Sequence, residues 1–164
     1  MGLSAIAVLG VARPGVVSEV TSVFTRYGAN IEDSAMTLLG GHVAMMLLVS
    51  GQVPPVSAFP GLTVTAAEVG SRRDHGCEAG LDYVLTVHGP DRPGIVSAFS
   101  GVLAEVAGII TGMTTRLCGR LYVLIADVWL PAKVDVAALM RRLAAVGAGL
   151  GCAITFRPAE AEVL

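Results

Sequence analysis

The chain contains the same sequence pattern twice, at an offset of 79 residues. Residues 4–49 align without a gap with residues 83–128, and twelve of the aligned positions are identical. Each copy contains Arg-Pro-Gly, at positions 13–15 in the first and 92–94 in the second. A repeat at a fixed spacing means that one structural unit is used more than once. The 164 residues are therefore expected to form two related units.

Each copy predicts the element order βαββαβ. A short apolar run of β type precedes Arg-Pro-Gly, and apolar residues at three- and four-residue spacing then indicate an amphipathic helix. We expect Pro14 to lie in the first turn of its helix, where the missing N–H is tolerated. Two strands joined by a glycine turn follow. The predicted fold class is α+β, with two tandem ferredoxin-like domains that carry their helices on one face of an antiparallel sheet.

The predicted boundaries follow from the same patterns. Predicted strands span 4–11, 30–39, 42–49 and 62–69 in the first copy, and 81–88, 109–117, 121–130 and 150–156 in the second. The first helix is expected to end at Gly28, and its counterpart to span 94–106. The resulting domains are 1–70 and 81–158, separated by a polar linker at 71–80 and followed by a flexible tail at 159–164.

The second helix of the unit is expected to differ between the copies. Three prolines within residues 51–60 leave room for little more than a turn or two. In the second copy Asp135 is placed to cap a full helix. Its predicted inner face consists of Val136, Leu139, Met140, Leu143 and Val146.

Composition indicates additional buried surface and a reducing location. Hydrophobic residues make up 54% of the chain, so we expect some apolar surface to be buried between the copies or in a homodimer. The continuously apolar run Val43–Val49 predicts a strand covered on both faces. The three cysteines form neither a CxxC pair nor a disulfide framework, which favours reduced thiols in a cytoplasmic protein.

Charge and hydropathy argue against two classes of partner. The net charge is −2 and the chain has no basic stripe, so direct binding to nucleic acid is not expected. No apolar run reaches the length of a membrane span without Gly, Pro or charge. The sequence therefore predicts neither a nucleic-acid-binding nor a membrane protein.

No pattern predicts an enzyme, a cofactor or a metal site. Residues 10–15 lack the Gly-Lys-Ser/Thr of a phosphate-binding loop. The three histidines have no spacing typical of metal ligands. Ser18 and Ser97 recur, but no histidine or acid is placed to activate them, and we expect them to pack near the helix start.

The turn before each first helix is the candidate ligand site. A helix N-terminus offers free N–H groups to a carboxylate, Asp91 could bind an ammonium group, and Asn30 carries both a donor and an acceptor. Together these groups suit an α-amino acid. A purely structural alternative stays open, in which Pro-Gly starts the helix, Asp91 caps a turn and Asn30 tolerates a tight bend.

The pattern strand, Gly, Arg-Pro-Gly, helix, Gly-x-Asn-Ile and hairpin resembles the ACT domain, a small-molecule-sensing module that commonly binds amino acids. Residues 30–36, Gly40-Gly41 and residues 45–51 more closely resemble the tandem-ACT family of glycine cleavage system transcriptional repressors, which are bacterial cytoplasmic proteins. The resemblance implies regulation by a small amino acid, with glycine as the expected effector; the residues themselves do not separate glycine from serine. It also implies action on transcription through a DNA-binding partner protein.

In ACT domains that bind amino acids, the ligand commonly lies between the Asp/Asn-Arg-Pro-Gly turn of one unit and the Gly-x-Asn strand start of a neighbour. Each copy departs once from this pattern, with Ala12 in place of the polar turn residue and Ile109 in place of Asn30. We therefore expect one composite pocket in which residues 91–94 face Asn30. The predicted ligand-binding residues are Asn30, Asp91, Arg92, Pro93, Gly94, Arg13, Pro14 and Gly15.

Other functional interpretations stay open. Loss of one polar residue in each copy is also what a ligand-blind protein-interaction module would show. A detached regulatory subunit of an amino-acid enzyme, such as a phosphoserine phosphatase, is a further alternative.

Overall fold

The computed structural model describes residues 2–70 and 79–160. The chain divides into two compact units, Met1–Asp74 and His75–Leu164. Residues 71–78 of the predicted linker and 161–164 of the predicted tail lie outside the described residues.

The first unit is a four-stranded antiparallel sheet with one long helix. Its strands are ordered β2-β3-β1-β4. The region in which prolines argue against a second helix forms one 3₁₀ turn. The elements are β1 (Leu3–Val11), α1 (Val16–Arg26), β2 (Asn30–Leu39), β3 (His42–Ser50), the 3₁₀ turn (Val56–Ala58) and β4 (Thr63–Val69).

The second unit repeats the plan with a complete second helix. Its strands are ordered β6-β7-β5-β8, and the Asp135 side chain caps α3 by accepting a hydrogen bond from the Ala138 N–H at 3.0 Å. The tandem α+β fold predicted from the repeat is confirmed. The elements are β5 (Gly80–Pro90), α2 (Ile95–Glu105), β6 (Ile109–Cys118), β7 (Leu121–Pro131), α3 (Val136–Leu150) and β8 (Ala153–Pro158).

The core of each unit lies between one sheet face and the helices. In the first unit Phe24 of α1 is fully buried and its ring centroid lies 5.5 Å from that of Phe59. In the second unit Phe99 of α2 and Leu143 of α3 are buried with alternate residues of β5 and β7. Burying one such large apolar side chain contributes roughly 1.5–3 kcal/mol, so the alternating pattern decides which sheet face the helices cover.

Helix boundaries differ from the predicted ones at two places. Pro14 precedes α1, and Gly15 is the N-cap residue, with φ 83°, a left-handed conformation that glycine adopts without steric cost. At the other end of the chain, α3 continues to Leu150 and ends at Gly151, with φ 69°. The last strand consequently starts at residue 153 rather than 150.

The predicted inner face of α3 is wrong at one position. Met140 is 44% exposed, whereas Leu139 and Leu143 are almost completely buried. Gly147 also faces the core, where a Cβ would approach Cys152 O and Ile154 Cγ2 to 3.0 Å each. The buried stripe of α3 is therefore narrower than the apolar residues indicate.

In the first unit α1 covers one face of β3, and the cover predicted for the other face from the continuous apolar run stays a prediction. Val43, Leu47 and Val49 are buried against α1, whereas Met46 on the opposite face is 54% exposed. A continuous run of apolar residues indicates that both faces of a strand would gain from burial, but it does not say what covers each face. Among residues 2–70, the first unit provides no helix for the second face of its own sheet.

The glycine that precedes each turn is a packing residue. A Cβ at Gly89 would lie 2.8 Å from Cys152 Sγ and 2.9 Å from Cys152 Cα, and a Cβ at Gly10 would overlap a methyl group of Leu62. In both units the approach to the last strand crosses close to the end of the first strand. The repeated glycine therefore permits a backbone approach and has no side chain with which to bind a ligand.

In the ranges 2–70 and 79–160, no helix is long and apolar enough to cross a membrane. Two cysteines fall within these ranges and both are free thiols, Cys118 exposed and Cys152 buried. Cys77 lies outside the described residues.

Candidate functional site

A cleft of about 360 Å³ lies beside the turn that joins β5 to α2. The turn residues Asp91, Arg92 and Gly94 form one side. Tyr122 forms another side, because it pairs with Gly89 where β7 passes the end of β5. The first turn of α2 closes the cleft with Ile95, Val96 and Ser97.

The helix end gives this cleft hydrogen-bond donors. The first helical hydrogen bond of this end runs from the Ala98 N–H to the Gly94 carbonyl, at 2.9 Å, so the N–H groups of residues 95–97 precede the helical ladder. Gly94 holds φ 92° as the N-cap residue and supplies no side chain. The cleft can therefore receive an anionic group at its helix end.

Charged side chains of both signs line the same cleft. Arg92 provides a guanidinium that suits a carboxylate, and Asp91 provides a carboxylate that suits an ammonium group. Within residues 2–70 and 79–160, no carboxylate forms an ion pair with Arg92. The arrangement matches the two ends of an α-amino acid.

The corresponding turn of the first unit is internally neutralised. Arg13, the counterpart of Arg92, donates to the carboxylate of Glu19 in the first turn of α1. Ala12 replaces Asp91 and donates its N–H to the Gly41 carbonyl of the β2–β3 turn, at 2.9 Å. The first unit consequently has an arginine that is already paired and no turn carboxylate.

Glu19 is a residue that sequence reasoning missed. Its counterpart in the second unit is Ala98, which cannot pair with Arg92. The repeat alignment contains a sign of this ion pair, because both copies have the arginine but only the first copy has a carboxylate at the position of Glu19. It was hidden because Arg13 and Glu19 are six residues apart, outside the three- and four-residue spacing expected of helical ion pairs.

Asn30 is the first residue of β2 and belongs to a polar cluster at the end of that strand away from the Gly40-Gly41 turn. Its Nδ2 donates to Glu32 Oε1 at 3.0 Å, and the Ser50 hydroxyl donates to the same oxygen. Ser50 is also the β3 partner of Asn30 in the ladder. The Asn30 side chain is thereby bonded to Glu32, which also accepts from Ser50 of the same unit.

The second unit replaces this polar cluster with an apolar one. Ile109 and Trp129, the counterparts of Asn30 and Ser50, face each other in the β6–β7 ladder, and Trp129 is only 8% exposed. Both units interrupt the ladder with a register shift next to this point, at Glu32 and at Thr111. The backbone feature is therefore shared, whereas the polar chemistry belongs to the first unit alone.

The structure brings some of the predicted ligand-binding residues together. Asp91, Arg92 and Gly94 line one cleft, to which Ser97 and Tyr122 are added. Arg13 lies at the equivalent turn but is paired. Asn30 lies in the other unit from Asp91, so their joint part in one pocket stays a prediction.

Comparisons with known proteins identify the class. Residues 5–61 match the family model described as ACT domain. The UPF0237 protein MK1213 of Methanopyrus kandleri is 32% identical over 89 residues, which cover 52% of this chain and 87% of that protein. The chain therefore belongs to the ACT-domain family, and its fold is a tandem of two ACT domains.

Two solved structures share the fold over nearly the whole chain. A protein of unknown function from Galdieria sulphuraria is 26% identical with a TM-score of 0.79, covering 97% of this chain and 99% of its own. A protein provisionally named a glycine cleavage system transcriptional repressor is 18% identical with a TM-score of 0.69, covering 97% and 98%. The second likeness concerns the fold alone.

Proposed function

We propose that this protein is a non-enzymatic sensor of a small amino acid, with glycine or serine as the effector. The observation that carries the proposal is Arg92, which pairs with no carboxylate of residues 2–70 and 79–160 and lies beside Asp91 in a cleft of about 360 Å³ at the start of α2. This volume lies at the small end of the range for ligand pockets. An effector carboxylate would bind at Arg92 and the helix N–H groups, and its ammonium group at Asp91.

The two units are proposed to have different roles. In the first unit Glu19 occupies Arg13, so an incoming carboxylate would have to displace an existing partner. In the second unit Ala98 leaves the arginine available. We therefore place the effector at the turn of the second unit, with Asn30 as a further predicted contact.

The output of the sensor is proposed to be transcriptional and indirect. The net charge of −2 does not favour a DNA surface, so we propose that a homodimer of this chain acts in the cytoplasm on a DNA-binding regulator. Fluorescence anisotropy with labelled duplex DNA tests the indirect route. The chain alone is expected to leave the anisotropy unchanged, and salt-sensitive binding would contradict it.

Thermal unfolding in the presence of each amino acid tests ligand binding. A ligand that binds only the folded state stabilises it by about 2.7 kcal/mol at a hundredfold excess over its Kd, so glycine or serine should raise Tm. The Arg92→Ala variant should reduce this shift to about half or less, because hydrogen bonds to charged groups contribute roughly 1.5–3 kcal/mol each.

The Arg13→Ala variant is the matched control, since Arg13 is the repeat counterpart of Arg92. It should retain the ligand-induced shift. An equal loss in both variants would contradict the assignment to the second unit. Absence of a shift with all twenty amino acids would contradict the sensor itself.

The face of the first sheet opposite α1 favours a second candidate function, a ligand-blind interaction module. Met46 and Leu9, about half exposed, lie on that face. A module of this kind would show no amino-acid-dependent Tm shift, yet would still associate through the sheet. The ligand-induced Tm shift therefore separates the two candidates.

A further inference from the structure

Tyr122 connects the core of the second unit with the cleft at the β5–α2 turn. Its side chain packs against that core and also lines the cleft, together with the turn residues. The ladder partner of Tyr122 on β5 is Gly89, which has no side chain to cover the ring from that side. Because the apolar body of the ring packs on the core, the hydroxyl at its outer end is the part that remains for the cleft.

The first unit shows that the fold does not require a hydroxyl at this position. The repeat counterpart of Tyr122 is Val43, which lies opposite Gly10 in the equivalent ladder. Val43 is 1% exposed and belongs to the core of the first unit, so an apolar side chain is sufficient for packing there. The second unit has the tyrosine at the same turn where it also has Asp91 in place of Ala12.

The Tyr122 hydroxyl forms no hydrogen bond with any side chain or backbone group of residues 2–70 and 79–160. The other uncharged polar side chain of the cleft is Ser97, and its hydroxyl already donates to the Gly94 carbonyl, at 3.0 Å. Ile95 and Val96 add apolar surface only. The Tyr122 hydroxyl is therefore the uncharged group of the cleft that is available both to donate and to accept.

An α-amino acid bound in this cleft would direct its side chain towards Tyr122. Its carboxylate would bind at Arg92 and the helix N–H groups, and its ammonium group at Asp91. These two contacts fix two substituents of the tetrahedral Cα at the turn and the helix end. The side chain is then left with the remaining wall of the cleft, which Tyr122 forms.

We propose that Tyr122 determines the specificity of this site and selects serine, a hydroxyl-bearing amino acid, over alanine and glycine. The inference rests on the proposed function, because it uses the carboxylate and ammonium contacts of the same cleft. A hydrogen bond between two neutral groups replaces hydrogen bonds to water, so its net effect is modest, about two- to tenfold in Kd. Alanine lacks only the hydroxyl of serine, and the ratio of the two Kd values therefore isolates this contact.

Isothermal titration calorimetry of the full chain with serine and with alanine tests the proposal. The wild-type chain should bind serine about two- to tenfold more tightly than alanine. Tyr122→Phe removes the hydroxyl and keeps the ring, so it should raise the Kd of serine to that of alanine and leave the Kd of alanine unchanged. Two ligands and two proteins form a cycle in which the coupling of the two hydroxyls is measured directly.

Tyr27→Phe is the matched control, because Tyr27 is a partly buried tyrosine that packs against the core of the first unit. It should retain the preference for serine, and circular dichroism verifies that both variants fold. Equal Kd values for serine and alanine, tighter binding of glycine than of serine, or a preference that Tyr122→Phe leaves intact would overturn the role of Tyr122 but not the sensor. Binding of no amino acid at all would overturn both.

Discussion

Ala107 has a backbone φ of 57°, and Gly28, the residue at the same position of the first unit, has a φ of 68°. Ala107 is the one non-glycine residue with positive φ in the described part of the chain. The next residue, Gly108, cannot take a side chain freely, because its Cβ would lie 2.9 Å from Leu130 Cδ2 and 3.0 Å from Leu103 O. The second unit thus has its glycine where packing requires it and an alanine where the turn would favour glycine.

Replacing Ala107 with Gly should stabilise the protein. The left-handed conformation costs an alanine roughly 1–2 kcal/mol, and glycine avoids this cost. Part of the resulting stabilisation is offset by the greater conformational freedom of glycine in the unfolded chain. We expect Ala107→Gly to raise the free energy of unfolding by about 0.5–1 kcal/mol in urea denaturation. The reverse change at the matched position, Gly28→Ala, should lower it, and a gain in stability there would contradict the explanation.

Replacing Gly89 with Ala should destabilise the second unit. The added Cβ would lie within 3 Å of Cys152, and overpacking of this kind typically costs about 1–3 kcal/mol. Gly101→Ala is the control, because nothing lies within 4 Å of its Cβ position in the middle of α2. That variant should be stabilised by roughly 0.5–1 kcal/mol, and equal effects of the two changes would refute a local steric cause.

Introducing Glu at position 98 should block the proposed ligand site. The new carboxylate would occupy the position of Glu19 and pair with Arg92, as Glu19 pairs with Arg13. We expect Ala98→Glu to raise the Kd of the amino acid about tenfold or more, which corresponds to roughly 1.4 kcal/mol. The amino-acid-induced rise in Tm should be smaller as a result. Ala98→Gln, of similar size and without charge, should retain most of the affinity; an equal loss would point to bulk instead of charge.

Removing the cap of α3 should weaken that helix. Asp135 accepts from the Ala138 N–H at 3.0 Å, and an N-cap replaced by Ala costs about 1 kcal/mol. Chemical denaturation of Asp135→Ala should show this loss, whereas Asp135→Asn should stay close to wild type because asparagine caps equally well. A stable Ala variant would mean that the surrounding loop alone fixes the helix start.

Much of the fold could be predicted because the repeat provides two copies of the sequence pattern of most elements. Helical spacing in α1 identifies buried residues such as Val20 and Phe24 correctly. The covering of β3 could not be predicted in this way, since an apolar side chain such as Met46 has the same sequence signature whether it is packed or exposed. The start of β8 was missed because α3 continues until Gly151 allows it to end.

The residue types of the candidate site could be predicted from the sequence, but the ion pairs of its arginines could not. Arg-Pro-Gly located both turns, yet the difference between Arg13 and Arg92 depends on which neighbour each guanidinium reaches. Tyr122 was missed for a related reason, because its place in the cleft comes from the pairing of β7 with β5. Such contacts arise from strand register and lie far apart in sequence.

The buried position of Trp129 provides an intrinsic optical probe of one half of the molecule. It is the single tryptophan of the chain, and its indole covers Gly80, where no Cβ would fit. Its fluorescence emission therefore follows the second unit, whereas circular dichroism follows both. Denaturation curves recorded by the two signals will coincide if the units unfold together and separate if each unfolds at its own denaturant concentration.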